Sequence, residues 1–429
     1  MLPERNIYGD VFAVPKFMLE KQDVEGFKEQ LRGFHQEFAG CFRRSELREH
    51  FFQYMAGQLS PLERKTIEPI AEHVEGGNVR QMQWFISEAG WDEARMLPKY
   101  HGLVAGDMGD ERGVLILDEA GFPKKGKDSA GVARQYCGAL GKVDNCQVGV
   151  FCAYASPHGY ALLDKRLFLP EKWFTQEYAL RRKKCGIPKD LEFKTKPQLA
   201  AEMFSAIARQ GVIPFKYVTA DTVYGNSPDF IEAVESVAGV VYFLAAPCDT
   251  LCVLKQPLMV EKEYRYRGKK QVKKQVAKWD TEPVRIDKLA RNISPYYWYR
   301  RTVSEGTKGP ITCEFTKREV ILCRDGLPDK TVWLIVKRTL DKKPTYSYYI
   351  SNAPHSAQLK TFVWLSGMRW AIEQCFEETK TELGLDHYEV RKFTGWNHHM
   401  LCCILAHFFL WHLRIRLGGK SPGYYAVAA

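Results

Sequence analysis

At about Gly113 the hydrophobic period of the chain changes from that of helices to that of strands, and this switch limits the fold more than any other feature. Before it, from about residue 15 to 100, apolar residues recur at helical spacing in "VEGFKEQLRGFHQEFAGCF" and "RSELREHFFQYMAGQL". "SPLERKTIEPIAEHV" predicts a helix capped by Ser60, with Pro61 at its first position and Glu63 closing a capping box. "GGNVRQMQWFISEAGW" continues the pattern of helix and short turn. The segment reads as a small helical bundle, and a DNA-binding helix-turn-helix is the sharper version of that reading.

After the switch, "GVLILD" reads as a buried strand ending at Asp118. "CQVGVFCAYAS" and "GYALLDKRLFLP" are two more strands, parted by the turn "SPHG". A helix from about Lys196 to Gln210, strand "FKYVTAD", helix "SPDFIEAVES" and strand "VVYFLAA" follow. Three meandering strands and then alternation predict an α/β sheet whose first and fourth strands can lie side by side, the order of an RNase H-like core. The next hundred or so residues, including "PYYWYRRTV" and "ITCEFTKREVILCRDG", are basic, aromatic and β-branched and read as a β-rich insertion. A long helix is expected from about Ser356 to a stop at Gly384, and a last apolar helix from about Trp396 to Leu417. The expected division is a helical N-terminal DNA-binding domain over 1–105, the first part of the core over 106–246, the insertion over 247–354, and the closing helices of the core over 355–429.

The chain has 429 residues and a net charge of +11, with basic groups gathered in "ALRRKKCG" and in "EKEYRYRGKKQVKKQVAKW" among aromatic rings. Cations that neutralise phosphates beside rings that stack on bases point to nucleic acid. Twelve cysteines without a CxxC pair, and no N-terminal signal peptide, fit a reducing cytoplasm. The apolar run "MLCCILAHFFLW" is too short to span a bilayer and reads as a buried helix. His399, Cys402, Cys403, His407 and His412 cluster there, but their spacings match no familiar zinc site.

Asp118 and Asp221 both close predicted strands, where an α/β sheet presents its functional groups. Arg369, Glu373, Glu377 and Lys380 share one face of a predicted helix. Three carboxylates from two strand ends and a helix suit a pair of Mg²⁺ ions, which prefer oxygen ligands and can clamp the attacking and leaving oxygens of a phosphodiester. Gly121, Gly126 and Lys127 mimic a nucleotide-binding loop, but Asp128 stands where a Ser or Thr is required and would repel phosphate. Lys124, Lys125, Lys127 and Arg134 are better candidates for holding a DNA backbone.

The blocks "LILDEAGFPKKGKDSAGVARQYCGALGKVDNCQVGVFCAYAS", "VTADTVYGNSPDF", "YYISNAP" and "MRWAIEQCFEETKTELGLDHYEVRKF" together resemble the IS701 family of bacterial insertion-sequence transposases, within the DDE transposases related to the IS4 family. The resemblance runs from about residue 30 to 415. It implies an RNase H-like catalytic domain in which Asp118, Asp221 and Glu373 form the DDE triad and bind two divalent metals, Mg²⁺ with Mn²⁺ as a substitute. In the family signature of Tyr, Arg, Glu and Lys, the positions of Arg369, Glu373 and Lys380 match, while Ser366 replaces the tyrosine. The β-rich insertion of the family matches residues 247–354 and holds Trp279, Trp298 and Trp333. Lys269, Lys270 and Trp298 are its candidate DNA contacts, with core packing the competing role for any one of the tryptophans.

These expectations describe a cytoplasmic, nucleoid-associated DNA transposase. It would bind terminal inverted repeats as a homodimer, cut the element ends by metal-dependent hydrolysis, and join the freed 3′-hydroxyls to target DNA. Its competitors are a catalytically silent DNA-binding protein derived from a transposase, and a host nuclease on the same core.

Overall fold

In the computed structural model, which describes residues 26–266, 269–306 and 309–418, a mixed α/β chain gathers into two compact units. Among the described residues, one unit holds 26–216, 232–238 and 369–418, and the other holds 217–231 and 239–368.

The helical spacing before Gly113 becomes α1 (Phe27–Gln36), α2 (Ser45–Gln58), α3 (Ile67–His73), α4 (Val79–Ser87) and α5 (Glu93–Met108). The helix expected to start at Pro61, capped by Ser60, begins six residues later, at Ile67. Its supposed cap works in the opposite direction: the Ser60 hydroxyl donates to the Gly57 carbonyl at 2.6 Å and closes the end of α2. The intervening stretch is held elsewhere, with the Lys65 amide donating to His387 Nδ1 at 3.0 Å.

Four antiparallel strands follow: β1 (Val114–Pro123), β2 (Ala133–Cys137), β3 (Lys142–Ser156) and β4 (Gly159–Phe168). β3 is the centre of this group, pairing with each of the other three. Gly149 on β3 has a packing reason to be glycine, because a Cβ there would lie 2.9 Å from the Trp396 ring. After a short α6 (Ala179–Lys184), α7 (Lys196–Gln210) starts on a capping box in which Thr195 and Gln198 satisfy each other's amides.

The second unit continues with β5 (Tyr217–Ala220), α8 (Thr222–Gly225), the start of α9 (Pro228–Glu235) and β6 (Val241–Ala245). β5 and β6 are parallel, as their crossover helix requires. The interval read as an insertion supplies β7 (Leu251–Val253), β8 (Leu258–Tyr266), β9 (Lys269–Lys278), β10 (Val284–Arg285), α10 (Ile286–Arg291), β11 (Tyr299–Gly306), β12 (Gly309–Arg324), β13 (Leu327–Arg338) and β14 (Tyr346–Ser351). β14 pairs with β6, so most of these strands extend the sheet of β5 and β6 in the order β6, β14, β13, β12, β7, β10, with β11 also on β12. β8 and β9 stay apart as a two-stranded ribbon.

The single helix expected from Ser356 to Gly384 is two: α11 (Leu359–Met368) and α12 (Trp370–Leu383), separated at Arg369. Gly384 ends α12 with φ of 70°, a left-handed conformation that favours glycine. The last helix, α13 (Phe393–Gly418), is long and apolar enough to cross a membrane by length and composition, and 72% of its most apolar stretch is buried within the protein. It packs on β4, α2, α4 and α12. Each large apolar side chain buried this way stabilises the fold by roughly 1.5–3 kcal/mol.

His399, Cys403, His407 and His412 of α13 each meet a protein partner. His399 Nδ1 shares a 2.8 Å hydrogen bond with the Tyr54 hydroxyl, Gln58 donates to Cys403 at 2.9 Å, and His412 meets Asp107 at 2.5 Å. His407 meets Glu378 at 2.7 Å.

Candidate active site

Asp118 does not end its strand. β1 continues to Pro123, and Asp118 lies opposite Phe151 in an unbroken ladder with β3. A carboxylate does not stop a strand whose main chain still has a partner, and the run Cys146–Phe151 on β3 supplies that partner for Asp118 to Pro123. Because side chains alternate, Asp118 and Glu119 project from opposite faces. Glu119 forms a 2.6 Å ion pair with Lys196 at the start of α7. On the other face Phe151, the cross-strand neighbour of Asp118, meets Phe376 of α12 at 5.2 Å.

That packing sets α12 beside Asp118. Arg369, the residue before the helix, brings Nη2 to 3.8 Å from Asp118 Oδ2 and 3.4 Å from Glu373 Oε1. Asp118 is nearly enclosed, with its side chain 17% exposed, whereas Glu373 in the first turn is 56% exposed. Ion pairs open to solvent to this degree are worth only ~0–1 kcal/mol, so the guanidinium bridges the two acids without locking them. Ser366, at the signature tyrosine position, donates to the Val363 carbonyl within α11 at 2.7 Å.

Asp221 belongs to the other unit. It follows β5 directly and caps α8, its Oδ1 accepting from the Val223 amide at 2.9 Å. Among the described residues, no group of three or more His, Cys, Asp or Glu side chains is gathered as for a cation.

The candidate DNA contacts divide by exposure. The lysine loop starts only after Pro123, five residues beyond Asp118, which is about 17 Å of strand. The loop is therefore set off from Asp118 by the second half of β1. It leads into β2, not into a helix, so it has no helix amides to offer a nucleotide. Lys125 and Lys127 are exposed there, and Arg134 is exposed on β2. Lys124 is turned inward: its ammonium donates to the Tyr388 carbonyl at 3.0 Å and lies 3.4 Å from the centre of the Tyr388 ring. Burial pushes its pKa down to about 8, against the upward pull of Asp386 and Glu389. Lys380 is also drawn in, 5.6 Å from the Phe122 ring centre, with burial lowering its pKa.

In the other unit Lys270 pairs with Glu263 at 3.3 Å on the β8–β9 ribbon. Lys269 lies on β9, and its side chain is outside the described residues. Trp298 is a core residue, 8% exposed, with Nε1 donating to the Ile293 carbonyl and the Arg338 guanidinium 3.9 Å from its ring centre. Its neighbour Tyr297 is 58% exposed and Tyr299, the first residue of β11, is 44% exposed. Tyr297 ends a 3-10 turn, Pro295–Tyr297, and Trp298 joins that turn to β11, so the local pattern in "YYWYRR" relates Trp298 only to Tyr299.

Residues 37–310 match the DDE superfamily endonuclease family. The chain belongs to that family. A probable transposase for insertion sequence element IS701 from Microchaete diplosiphon is 24% identical over 349 residues, covering 80% of this chain and 77% of that protein. Family and relative together support what the motifs implied, a DDE transposase of the IS701 kind. The piggyBac transposase, in a cryo-EM structure of its synaptic complex with hairpin DNA, is similar at a TM-score of 0.40 and 8% identity, covering 96% of this chain and 82% of that one.

DDE superfamily endonucleases are metal-dependent. The donor set at Asp118 and Glu373 fits such an ion: both are carboxylates, hard oxygen donors, and both already face one positive charge, that of Arg369.

Proposed function

We propose that this DDE transposase binds the terminal inverted repeats of its element as a homodimer, cuts the ends by hydrolysis and joins the 3′-hydroxyls to target DNA in the cytoplasm, at the nucleoid. The observation that carries the assignment of the site is the shared approach of Asp118 and Glu373 to Arg369. Asp118, Asp221 and Glu373 would hold two Mg²⁺ ions, which supply charge neutralisation and activation of water at the scissile phosphate. Asp118, fixed by the strand ladder and nearly enclosed, would be the anchored ligand, and the exposed Glu373 the adjustable one. Arg369 would turn to a DNA phosphate, leaving the two carboxylates to the metal. The exposed Lys125, Lys127 and Arg134 would hold the backbone further out, while Lys124 and Lys380 support the loop and α12 from within.

Asp118→Asn tests this reading. The variant should bind end DNA nearly as well as the native chain and lose Mg²⁺-dependent cleavage. Normal cutting by that variant would refute the assignment. Pre-cut ends distinguish a transposase from a nuclease, since only the former gives joined product.

A further inference from the structure

The β8–β9 ribbon, residues 258–278, contains eight Lys or Arg against two Glu, a net charge of +6 in a chain whose total is +11. It forms its own two-stranded sheet, and nearly all its described side chains are exposed on both faces. A hairpin with no apolar face buried is of marginal stability by itself, so this one is not made for packing.

Its register sorts the charges. Val260, Lys262 and Tyr264 lie opposite Gln275, Lys273 and Gln271, and strand alternation puts these positions on one face. Met259, Glu261 and Glu263 lie opposite Val276, Lys274 and Val272 on the other. Both acids therefore fall on the second face, where Glu261 is directly across from Lys274 and Glu263 pairs with Lys270 at 3.3 Å. The first face has no acid, and its Lys262 and Lys273 stand directly opposite one another. Like charges in that position destabilise a hairpin, and an anion placed over them removes the penalty.

We infer that this acid-free face is a docking surface for duplex DNA, the ribbon entering a groove that is wide enough for two strands and tracking its phosphates. Lysines are point charges that lack the paired donors used to read bases, so the occupant is duplex of arbitrary sequence, the target DNA and not the inverted repeats. This rests on the transposase reading of the chain and adds to it where the target lies.

Affinity of the full-length protein for a random-sequence duplex and for an element-end duplex, measured in EDTA over a range of salt, tests the inference. Lys262→Gln with Lys273→Gln should lower the magnitude of the salt slope on random duplex by about 2, one for each lost phosphate contact. Lys270→Gln with Lys274→Gln, on the neutralised face, should change it by less than about half as much, and Lys262→Arg with Lys273→Arg should leave it intact. Equal effects from the two faces, or an effect confined to the element-end duplex, would overturn the inference while leaving the transposase reading in place. Failure of the native chain to bind either duplex would instead refute that reading.

Discussion

Arg369 places a guanidinium nitrogen 3.8 Å from the Asp118 carboxylate, tying the start of α12 to the middle of β1. The same group reaches Glu373 at 3.4 Å, so one positive charge serves two candidate metal ligands. Arg369→Gln should cut end cleavage by about a hundredfold, the cost of removing one well-placed charge-stabilising donor. The thermal midpoint should hardly move, because a partly exposed ion pair contributes ~1 kcal/mol at most. A large loss of stability together with activity would show that Arg369 is structural.

Lys124 gives a pH-dependent prediction. Its folded pKa, about 8, lies below its ordinary value of 10.5, so the unfolded chain binds the additional proton in the interval between them. Stability from this group accordingly rises with pH from about 8 to 10.5. Relative to Lys124→Met, the native chain should gain up to ~3 kcal/mol across that window, followed by urea denaturation at each pH. A difference that is flat with pH would mean the ammonium is not desolvated over Tyr388.

Glu378 behaves in the opposite sense. Burial raises its pKa, but hydrogen bonds from His407 and Tyr160, at 2.7 Å and 2.6 Å, outweigh that and bring the net value below the ordinary one. Its contribution is complete above the unfolded pKa and is lost as pH falls through the lower folded one. Glu378→Ala, which strands two buried partners, should cost about 2–4 kcal/mol at pH 7. Chemical denaturation of the variant and native chain at pH 7 and at pH 4 would show the gap narrowing in acid.

Trp298 and Tyr297 separate packing from recognition. Trp298→Ala should cost about 3–5 kcal/mol, as for a large buried ring, and weaken DNA binding only through misfolding. Tyr297→Ala should stay within about 0.5 kcal/mol of the native chain. Calorimetry of both variants decides the matter, and a fully stable Trp298→Ala would contradict its place in the core.

Periodicity made much of this fold legible. The bounds of α7, the order of strands from β3 to β6 and the strand-rich interval after β6 all follow from local pattern, because each is decided by which residues face a core. What escaped depended on distant partners. β1 outran Asp118 because β3 offered it a ladder, and α12 separated from α11 at Arg369, where nothing in the local spacing breaks the helix. That Tyr388 covers Lys124 and Phe122 lies beside Lys380 is likewise not visible in the sequence. Asp118, Glu373 and Arg369 were all legible as candidates, from residues matched to a known signature, while the approach of one guanidinium to both acids required coordinates.

The ladder through Asp118 also makes the site sensitive to a kind of error other than substitution. Since neighbouring positions on β1 face opposite ways, slipping the strand by one residue against β3 would exchange Asp118 for Glu119 on the α12 side. The sheet would still present a carboxylate there, but on a side chain one methylene longer, and Lys196 would lose its partner. A single-residue deletion in β1 ahead of Asp118 would thus leave composition and charge almost unchanged and still put a different carboxylate on the α12 side, so the length of this strand is as much a part of the candidate site as its acid.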